Sequence, residues 1–265
     1  MSIKQQEEKA SYQISKDISP HDGVAVFSTT GTPIQYEEKS TRPMVTVTNF
    51  NKKQPGVFLL RNCLTSAECK EFIQVTERMG YTEAKITVGK GQFLSAPEIR
   101  NNKRLIWETP LPEVDVSSFA AVMWNRIKSH IPSEVTVRGH VWESCGMNER
   151  LRFYRYTGGE QFREHYDGCF PRSSQEMSLL TFIIYLSDGF EGGATTFYSE
   201  DDRSSCWREG RAVALKVTPV EGAALLFWHG QHPDSPLHEG SMVIKGTKYV
   251  LRSDVMYRRR QTSQT

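Results

Sequence analysis

The segment from Phe162 to Gly168, FREHYDG, places an imidazole and a carboxylate two residues apart. Side chains alternate between the two faces of a strand, so His165 and Asp167 would share one face if this segment is a strand. Two histidines and one carboxylate, arranged as a facial triad, bind non-haem Fe(II) and leave coordination positions open for oxygen chemistry. The pair therefore predicts an iron site that needs one more histidine from elsewhere in the chain.

Three histidines downstream could supply that third ligand. His229 and His232 lie in WHGQHPDSP, where the prolines indicate a loop. His238 begins HEGSMVIKGTKYVLRSDVMY, which has the texture of two strands joined by a Lys-Gly turn. Residues that hold a ligand in a fixed geometry belong on rigid elements, so we favour His238 over His229 and His232.

The last strand carries a second chemical signal. By alternation Lys248, Arg252 and Asp254 share one face. A cation aimed into a barrel is costly unless it meets an anion. A dicarboxylate such as 2-oxoglutarate would supply one, with its keto-acid end on the metal and its far carboxylate on Lys248. The alternative for Arg252 is an ion pair with Asp254 inside the sheet or at its edge.

Short strands separated by turn residues occupy the chain after residue 148. We predict strands over 151–156, 161–167, 178–187, 194–198, 212–218, 223–228, 238–244 and 248–257. Roughly eight strands at this spacing predict a double-sheet jelly roll or a related barrel. The fold class is therefore mainly β with flanking helices, and such a barrel would bring His165, His238 and Lys248 to one cavity.

Two helices are predicted ahead of these strands, and they would brace one sheet. The first begins at the capping box TSAE, residues 65–68, and ends at Gly80. The second runs from about Val116 to His130 and is capped by Asp115 or Ser117.

We assign residues 43–260 to one domain, with a support region over 43–148 and the jelly-roll core over 149–258. Residues 1–42 are polar and are expected to be a flexible arm, in which GVAVF, residues 23–27, could add a short strand. Residues 259–265 are expected to be a tail.

Composition excludes some classes of partner. Lys and Arg number 33 against 31 Asp and Glu, giving a net charge of +2, which lacks the basic footprint of a nucleic-acid-binding protein. The five cysteines form no CxxC pair and no zinc-ligand spacing, as expected for a reducing compartment. The sequence contains no apolar run long enough to span a membrane. We therefore expect a cytoplasmic protein that acts away from membranes.

Five motifs occur in the order and with the spacings of a known family: TGGEQFREHYD after Tyr156, SLLTFIIYLSD, EGGATTF, GAALLFW and HEGSMVIKGTKY. Over about residues 56–258 the chain resembles Fe(II)/2-oxoglutarate oxygenases of the prolyl 4-hydroxylase type. The resemblance implies a double-stranded β-helix, iron held by His165, Asp167 and His238, and O2 as a second cosubstrate with ascorbate as reductant. It also implies binding of the distal carboxylate of 2-oxoglutarate by Lys248 and Tyr185, in a pocket lined by Tyr156 and Thr181.

The segment IRNNKRLIWE resembles the loop and strand that border the substrate groove of oxygen-sensing prolyl hydroxylases, which makes Arg100 and Asn102 substrate-side candidates. The chain departs from the animal relatives at Asp254, where they carry an aromatic residue, and Arg252 faces the same way. Such a charged pair suits a polar target side chain as well as a proline ring.

The expected reaction is oxidative decarboxylation of 2-oxoglutarate coupled to hydroxylation of a prolyl or other residue in a peptide or protein. One alternative is a hydroxylase of a free amino acid or small metabolite. Another is a jelly-roll binding module without catalysis.

Overall fold

Alternating sequence patterns closed by turn residues build most of this chain into short strands. The structure, a computed structural model, describes residues 13–18, 25–31, 33–50, 52–87, 92–113, 115–199 and 211–261. Cys206 and the end of the expected C-terminal tail lie outside these residues. None of the helices in the described ranges is long and apolar enough to cross a membrane.

Ahead of residue 149 the described residues form ten strands and two α-helices, with β1 and β2 in the arm and the others in the support region. The strands are β1 Ile14–Ile18, β2 Ala25–Thr29, β3 Thr46–Asn49, β4 Val57–Arg61, β5 Thr82–Glu83, β6 Ile86–Thr87, β7 Phe93–Leu94, β8 Lys103–Glu108, β9 Glu134–Val137 and β10 His140–Met147. The helices are α1 Ser66–Met79 and α2 Phe119–Ile127, and a 3-10 turn over Lys128–His130 follows α2.

The described residues after 149 form ten further strands. They are β11 Arg150–Tyr156, β12 Phe162–His165, β13 Glu176–Tyr185, β14 Glu191–Gly192, β15 Thr195–Tyr198, β16 Val213–Val217, β17 Ala224–Trp228, β18 His238–Gly240, β19 Val243–Lys245 and β20 Lys248–Arg259. The two main sheets have the order β11-β20-β13-β17 at the centre of the larger one and β12-β18-β15-β16 in the smaller one, and all of these neighbours pair antiparallel. This confirms the predicted double-sheet jelly roll.

Helix α1 lies against the outer face of the large sheet. The Thr65 hydroxyl accepts a hydrogen bond from the backbone N–H of Glu68, and the Glu68 carboxylate accepts one from the backbone N–H of Thr65, which is the predicted capping box. Phe72 on the buried face contacts the rings of Trp107 on β8 and Phe153 on β11. The helix ends before Gly80, as predicted, and Gly80 has a φ of 90°.

The structure differs from the prediction at the second helix, and it adds strands within the arm. Helix α2 is shorter than predicted, and Ser118 caps it, because the side chain of Asp115 accepts hydrogen bonds from Ser117 instead. Two strands occur in the described part of the arm, where β1 and β2 extend the large sheet. Strand β2 overlaps the short strand expected over 23–27 and pairs with β8 in parallel. Phe27 on β2 is buried, and this burial stabilises the added strand.

Strand β20 divides its side chains between two environments, as its alternation predicts. Leu251 packs with the outer core beneath the helices, together with Phe153 and Phe182. Val250 instead belongs to the core between the two sheets. Lys248, Val250 and Arg252 line a cavity at the open end of that inner core, together with residues of β11, β12 and β18.

Candidate active site

Two neighbouring antiparallel strands of the small sheet bring two histidines side by side. His165, at the end of β12, is the register partner of His238, at the start of β18. Asp167 lies two residues beyond the end of β12 and not on the strand itself. The ligand atoms of these three residues all lie within 4.8 Å of one another.

Both imidazoles present their Nε2 atoms to the site as free bases. The Nδ1 atom of His165 lies 2.7 Å from the carbonyl oxygen of Arg163, and Nδ1 of His238 lies 3.2 Å from that of Pro236. Each carbonyl accepts the Nδ1 proton, so Nε2 carries the lone pair. Burial lowers the pKa of both histidines, in His165 well below its usual value, with the neighbouring His238 as the next cause. The neutral imidazole is the form that binds a metal.

Asp167 is held ionised by contacts to both of its carboxylate oxygens. Arg252 donates from Nη1 to Oδ1 over 2.8 Å, and Thr181 donates from Oγ1 to Oδ2 over 2.8 Å. Oδ1 lies 3.6 Å from Nε2 of His165, and Oδ2 lies 3.8 Å from Nε2 of His238. Burial alone would raise the pKa of Asp167, but the Arg252 guanidinium, followed by the two histidines, holds it well below its usual range.

A buried polar network supports Asp167 from behind. His229 contacts Thr181 through Nδ1 at 2.7 Å and Ser178 through Nε2 at 2.9 Å, so both of its ring nitrogens are engaged. Asp254 accepts a hydrogen bond from Arg152 at 3.1 Å and lies 3.6 Å from a guanidinium nitrogen of Arg252. The structure therefore gives His229 a supporting position and pairs Arg252 with two carboxylates.

His232, the remaining downstream histidine, lies away from the three candidate ligands. His232 stacks on Trp228, with ring centroids 4.2 Å apart and an interplanar angle of 10°. Its Nδ1 accepts a hydrogen bond from the backbone of Asp234. Among the three downstream histidines, His238 is therefore the one that lies beside His165 and Asp167.

Lys248 is a buried cation with little to compensate its charge. It is 3% exposed, and its Nζ donates to the carbonyl oxygen of Gly193 over 2.7 Å. The rings of Tyr156 and Tyr185 lie 5.1 and 5.7 Å from Nζ, within the range of a cation–π contact. Burial lowers the pKa of Lys248 to about 7. An anion beside this ammonium group would reverse that shift.

The side chains predicted to accompany Lys248 occupy different positions. Tyr156 lines the cavity. The hydroxyl of Tyr185 lies 2.7 Å from that of Thr195, and Thr195 lines the cavity. Thr181, predicted to line the pocket for 2-oxoglutarate, instead contacts Asp167 and His229 behind the three candidate ligands, because β13 directs it toward that network.

The substrate-side candidates Arg100 and Arg252 both line the cavity. Arg100 is 7% exposed and lies between two aromatic rings, 4.6 Å from the centroid of Tyr154 and 4.2 Å from that of Phe162. Asn102, fully buried, accepts a hydrogen bond from Nε of Arg100 at 2.9 Å. Asn102 therefore orients the side chain of Arg100, which in turn lines the cavity.

The cavity wall also contains residues that the sequence analysis did not identify, among them Tyr154, Phe162 and Thr195. Phe162 stacks on the imidazole of His165, with centroids 3.7 Å apart and an interplanar angle of 20°. Tyr154 is two residues before Tyr156 on β11, so strand alternation could have identified it. Thr195 lies in the EGGATTF motif, but the motif alone does not indicate that its side chain lines the cavity.

The arrangement fits Fe(II) and 2-oxoglutarate. Two neutral imidazole nitrogens and one ionised carboxylate are the facial donor set of non-haem iron sites. The buried ammonium of Lys248 and the hydroxyl of Thr195 offer a charged donor and a neutral donor to a second carboxylate. A keto acid that contacts the metal with one end could therefore place its other carboxylate beside Lys248.

Comparison with known proteins agrees with this chemistry. Residues 151–253 match the family model described as the 2OG-Fe(II) oxygenase superfamily. Probable prolyl 4-hydroxylase 10 of Arabidopsis thaliana is 29% identical over 226 residues, which cover 74% of this chain and 67% of the relative. Probable prolyl 4-hydroxylase 8 of the same plant is 27% identical over 216 residues, with the same coverage.

Among solved structures, this chain is similar to a prolyl hydroxylase from Trichoplax adhaerens in complex with a hypoxia inducible factor oxygen degradation domain peptide fragment. The TM-score is 0.50 at 16% identity, over 77% of this chain and 85% of that chain. This likeness concerns the fold, and it agrees with the jelly roll described above.

The matched segment 151–253 contains His165, Asp167, His238 and Lys248. The match to this family implies Fe(II) as the metal and 2-oxoglutarate and O2 as cosubstrates. Residues 151–253 thus match a 2OG-Fe(II) oxygenase domain, and the chain is a 2-oxoglutarate-dependent hydroxylase that is similar to prolyl 4-hydroxylases.

Proposed function

We propose that this enzyme hydroxylates a prolyl residue in a peptide or protein, with Fe(II) held by His165, Asp167 and His238. The single observation that carries this assignment is the grouping of three deprotonated ligand atoms within 4.8 Å, in one cavity with the buried ammonium of Lys248. The names of the plant relatives favour proline as the target. Ascorbate would serve as the reductant that keeps the metal in its Fe(II) state.

When bound, Fe(II), 2-oxoglutarate and O2 supply the oxidising power for C–H hydroxylation, with succinate and CO2 as the other products. The protein contributes binding, orientation and exclusion of water. Arg252 and Thr181 fix the plane of the Asp167 carboxylate, and the carbonyls of Arg163 and Pro236 fix the two imidazole tautomers.

The cosubstrate end of the cavity is built from Lys248 and its neighbours. The ammonium of Lys248 would bind the distal carboxylate of 2-oxoglutarate, with Thr195 as a second donor that Tyr185 orients. The ring of Tyr156 covers the ammonium and keeps bulk water away from it. A carboxylate bound there gains strength from the low local dielectric.

The experiment is a turnover assay with purified protein, Fe(II), ascorbate and 2-oxoglutarate. We expect succinate from the wild type, and we expect a proline-containing peptide to gain the mass of one oxygen atom. His238→Ala should abolish both products, whereas His232→Ala, which removes a buried histidine outside the ligand group, should retain them. Equal activity of His238→Ala and the wild type would contradict the assignment.

The same assay identifies the target. Fragmentation spectra of the oxidised peptide should place the added oxygen on proline. Succinate formation without oxidation of any prolyl peptide, but with oxidation of a free amino acid, would replace the peptide substrate by a small-molecule substrate and leave the metal assignment intact.

A further inference from the structure

Three cations line the active-site cavity, and they differ in how their charges are balanced. Arg252 pairs with Asp167 at 2.8 Å and lies 3.6 Å from Asp254. Lys248 faces a backbone carbonyl and is the proposed partner of 2-oxoglutarate. Arg100 forms no ion pair with any carboxylate among the described residues. Glu239, which also lines the cavity, accepts a hydrogen bond from Ser241 instead.

Arg100 is nevertheless held firmly in place. Its guanidinium lies between the rings of Tyr154 and Phe162, and its Nε donates to the amide oxygen of Asn102. Asn102 is itself fixed, since it is 1% exposed and donates to the carbonyl of Lys103. The Nη2 atom of Arg100 is buried and has no hydrogen-bond partner in the structure. A buried cationic donor without an acceptor is costly, unless a ligand supplies the acceptor.

The rings on either side of Arg100 define its position in the cavity. Tyr156 is the register partner of Lys248, whereas Tyr154 is the partner of Val250, one step toward Arg252 along the same strand pair. On its other face Arg100 contacts Phe162, whose ring stacks on His165. Arg100 therefore contacts one ring that stacks on a candidate metal ligand and another that lies at the register position next to that of Lys248.

The surroundings of Arg100 favour an anion. Burial alone would raise the pKa of the Tyr154 phenol, but Arg100, followed by Arg252, Arg152 and Arg104, lowers it to about 8. Four guanidinium groups thus act on one buried phenol. The positive field that favours the phenolate would equally favour a carboxylate.

We propose that Arg100 binds a carboxylate group of the substrate, close to the carbon that is hydroxylated. This inference rests on the proposed hydroxylase function and specifies its substrate class. The carboxylate has two possible sources: an acidic side chain next to the target residue of a peptide, or the α-carboxylate of a free amino acid. The planar guanidinium suits either, since it donates in a fixed fork that matches carboxylate geometry.

The test compares substrates that differ only in this charge. One pair consists of peptides with Asp or Asn next to a single proline, and the other consists of free L-proline and L-prolinamide. Substrate-stimulated succinate formation gives kcat/KM for each compound. The ratio between the carboxylate and amide members is taken within each variant, so a general loss of activity cancels.

We expect the wild type to prefer the carboxylate member of one pair by about tenfold or more, as for hydrogen bonds to charged groups. Arg100→Gln should bring that ratio close to one, and Arg100→Lys should retain part of it. Lys103→Gln is the matched control, because Lys103 lies on β8 and pairs at the surface with Glu83. This control should keep the wild-type ratio.

Three outcomes would overturn the inference. The first is a wild type that turns over 2-oxoglutarate but prefers no carboxylate to its amide counterpart. The second is an Arg100→Gln variant that loses activity and keeps the wild-type ratio, because Arg100 would then only brace Phe162 and His165. The third is a rise in the KM for 2-oxoglutarate as the main effect. A wild type without any 2-oxoglutarate turnover would instead refute the proposed function, and the inference with it.

Discussion

Arg252 on the last strand donates from Nη1 to Oδ1 of Asp167 over 2.8 Å. A cation on the large sheet therefore holds a candidate metal ligand that lies just beyond the end of a strand of the small sheet. The contact joins the two walls of the jelly roll at the site itself. Arg252 also lies 3.6 Å from Asp254, and Asp254 pairs with Arg152. Each charge in this buried series therefore has a neighbour of opposite sign.

Replacement of Arg252 by Met should impair the metal site. Asp167 would keep its hydrogen bond from Thr181 but lose the contact that fixes Oδ1. Loss of a group that orients a metal ligand typically reduces metal affinity or activity by about 10–100-fold. We expect the Fe(II) concentration that gives half-maximal turnover to rise within this range.

Arg150→Gln provides the control for Arg252→Met, because Arg150 pairs at the surface with Glu108. Its Fe(II) requirement should stay at the wild-type value. An unchanged Fe(II) requirement in Arg252→Met would show that Arg252 does not position Asp167.

Replacement of Lys248 by Met should stabilise the ligand-free protein and weaken its binding of 2-oxoglutarate. Burial lowers the pKa of Lys248 from 10.5 to about 7, so its charge destabilises the folded, ligand-free protein. At about pH 6 the variant should therefore have a higher free energy of unfolding than the wild type, by an amount on the order of a few kcal/mol. It should also lose the rise in melting temperature that 2-oxoglutarate gives the wild type in the presence of Mn(II).

Thermal unfolding with and without 2-oxoglutarate measures both effects. A Lys248→Met protein that is still stabilised by 2-oxoglutarate as strongly as the wild type would remove Lys248 from the cosubstrate site.

The affinity for 2-oxoglutarate should fall as the pH rises above about 7. Below the pKa of about 7 the ammonium of Lys248 is already charged in the ligand-free protein. Above it, binding of the distal carboxylate requires uptake of a proton, which weakens binding by up to about tenfold per pH unit. Calorimetric titration with Mn(II) in place of Fe(II) should show this loss.

Lys248→Met controls for other groups that titrate in the same range, including Tyr154, whose pKa is lowered to about 8 despite burial. Its weak residual binding should not show the dependence that Lys248 causes. A wild-type affinity that is constant or increases above pH 7 would contradict the role of Lys248.

The ion pair between Glu68 and Arg126 should stabilise the support region without touching the site. Their side chains are 0% and 4% exposed, and two guanidinium nitrogens of Arg126 lie 2.6 and 2.7 Å from the carboxylate oxygens. Removal of one partner from a buried pair leaves an uncompensated charge, so Glu68→Gln should lower the free energy of unfolding by about 3–5 kcal/mol.

Glu77→Gln, on the same helix, removes an exposed pair with Arg155 and should cost about 1 kcal/mol or less. Denaturant unfolding measures both variants, and the KM for 2-oxoglutarate should stay at the wild-type value in each. Equal losses of stability in the two variants would contradict the proposed importance of burial.

Local sequence signals predicted the elements that depend on neighbouring residues. The capping box at Thr65 and the terminal Gly80 gave helix α1, because both act within one turn of the helix. Strand alternation placed Lys248 and Arg252 on the cavity face of β20, because period two is a local property. The jelly roll followed from the number and spacing of such strands.

Contacts that join distant parts of the chain could not be predicted in this way. The parallel pairing of β2 with β8 depends on burial of Phe27 in a core that the polar sequence of the arm does not reveal. The contact between Arg252 and Asp167 spans 85 residues and involves a carboxylate two positions beyond the end of β12. The position of Arg100 between the rings of Tyr154 on β11 and Phe162 on β12 likewise depends on how separate strands align.

The central claim is that His165, Asp167 and His238 form the iron site of a 2-oxoglutarate-dependent hydroxylase. The most direct measurement is succinate formed from 2-oxoglutarate by purified protein with Fe(II) and O2, for the wild type and for Asp167→Ala, with His232→Ala as the matched control. We predict succinate from the wild type and the control, and none above background from Asp167→Ala. Equal succinate formation by Asp167→Ala and the wild type would contradict the claim.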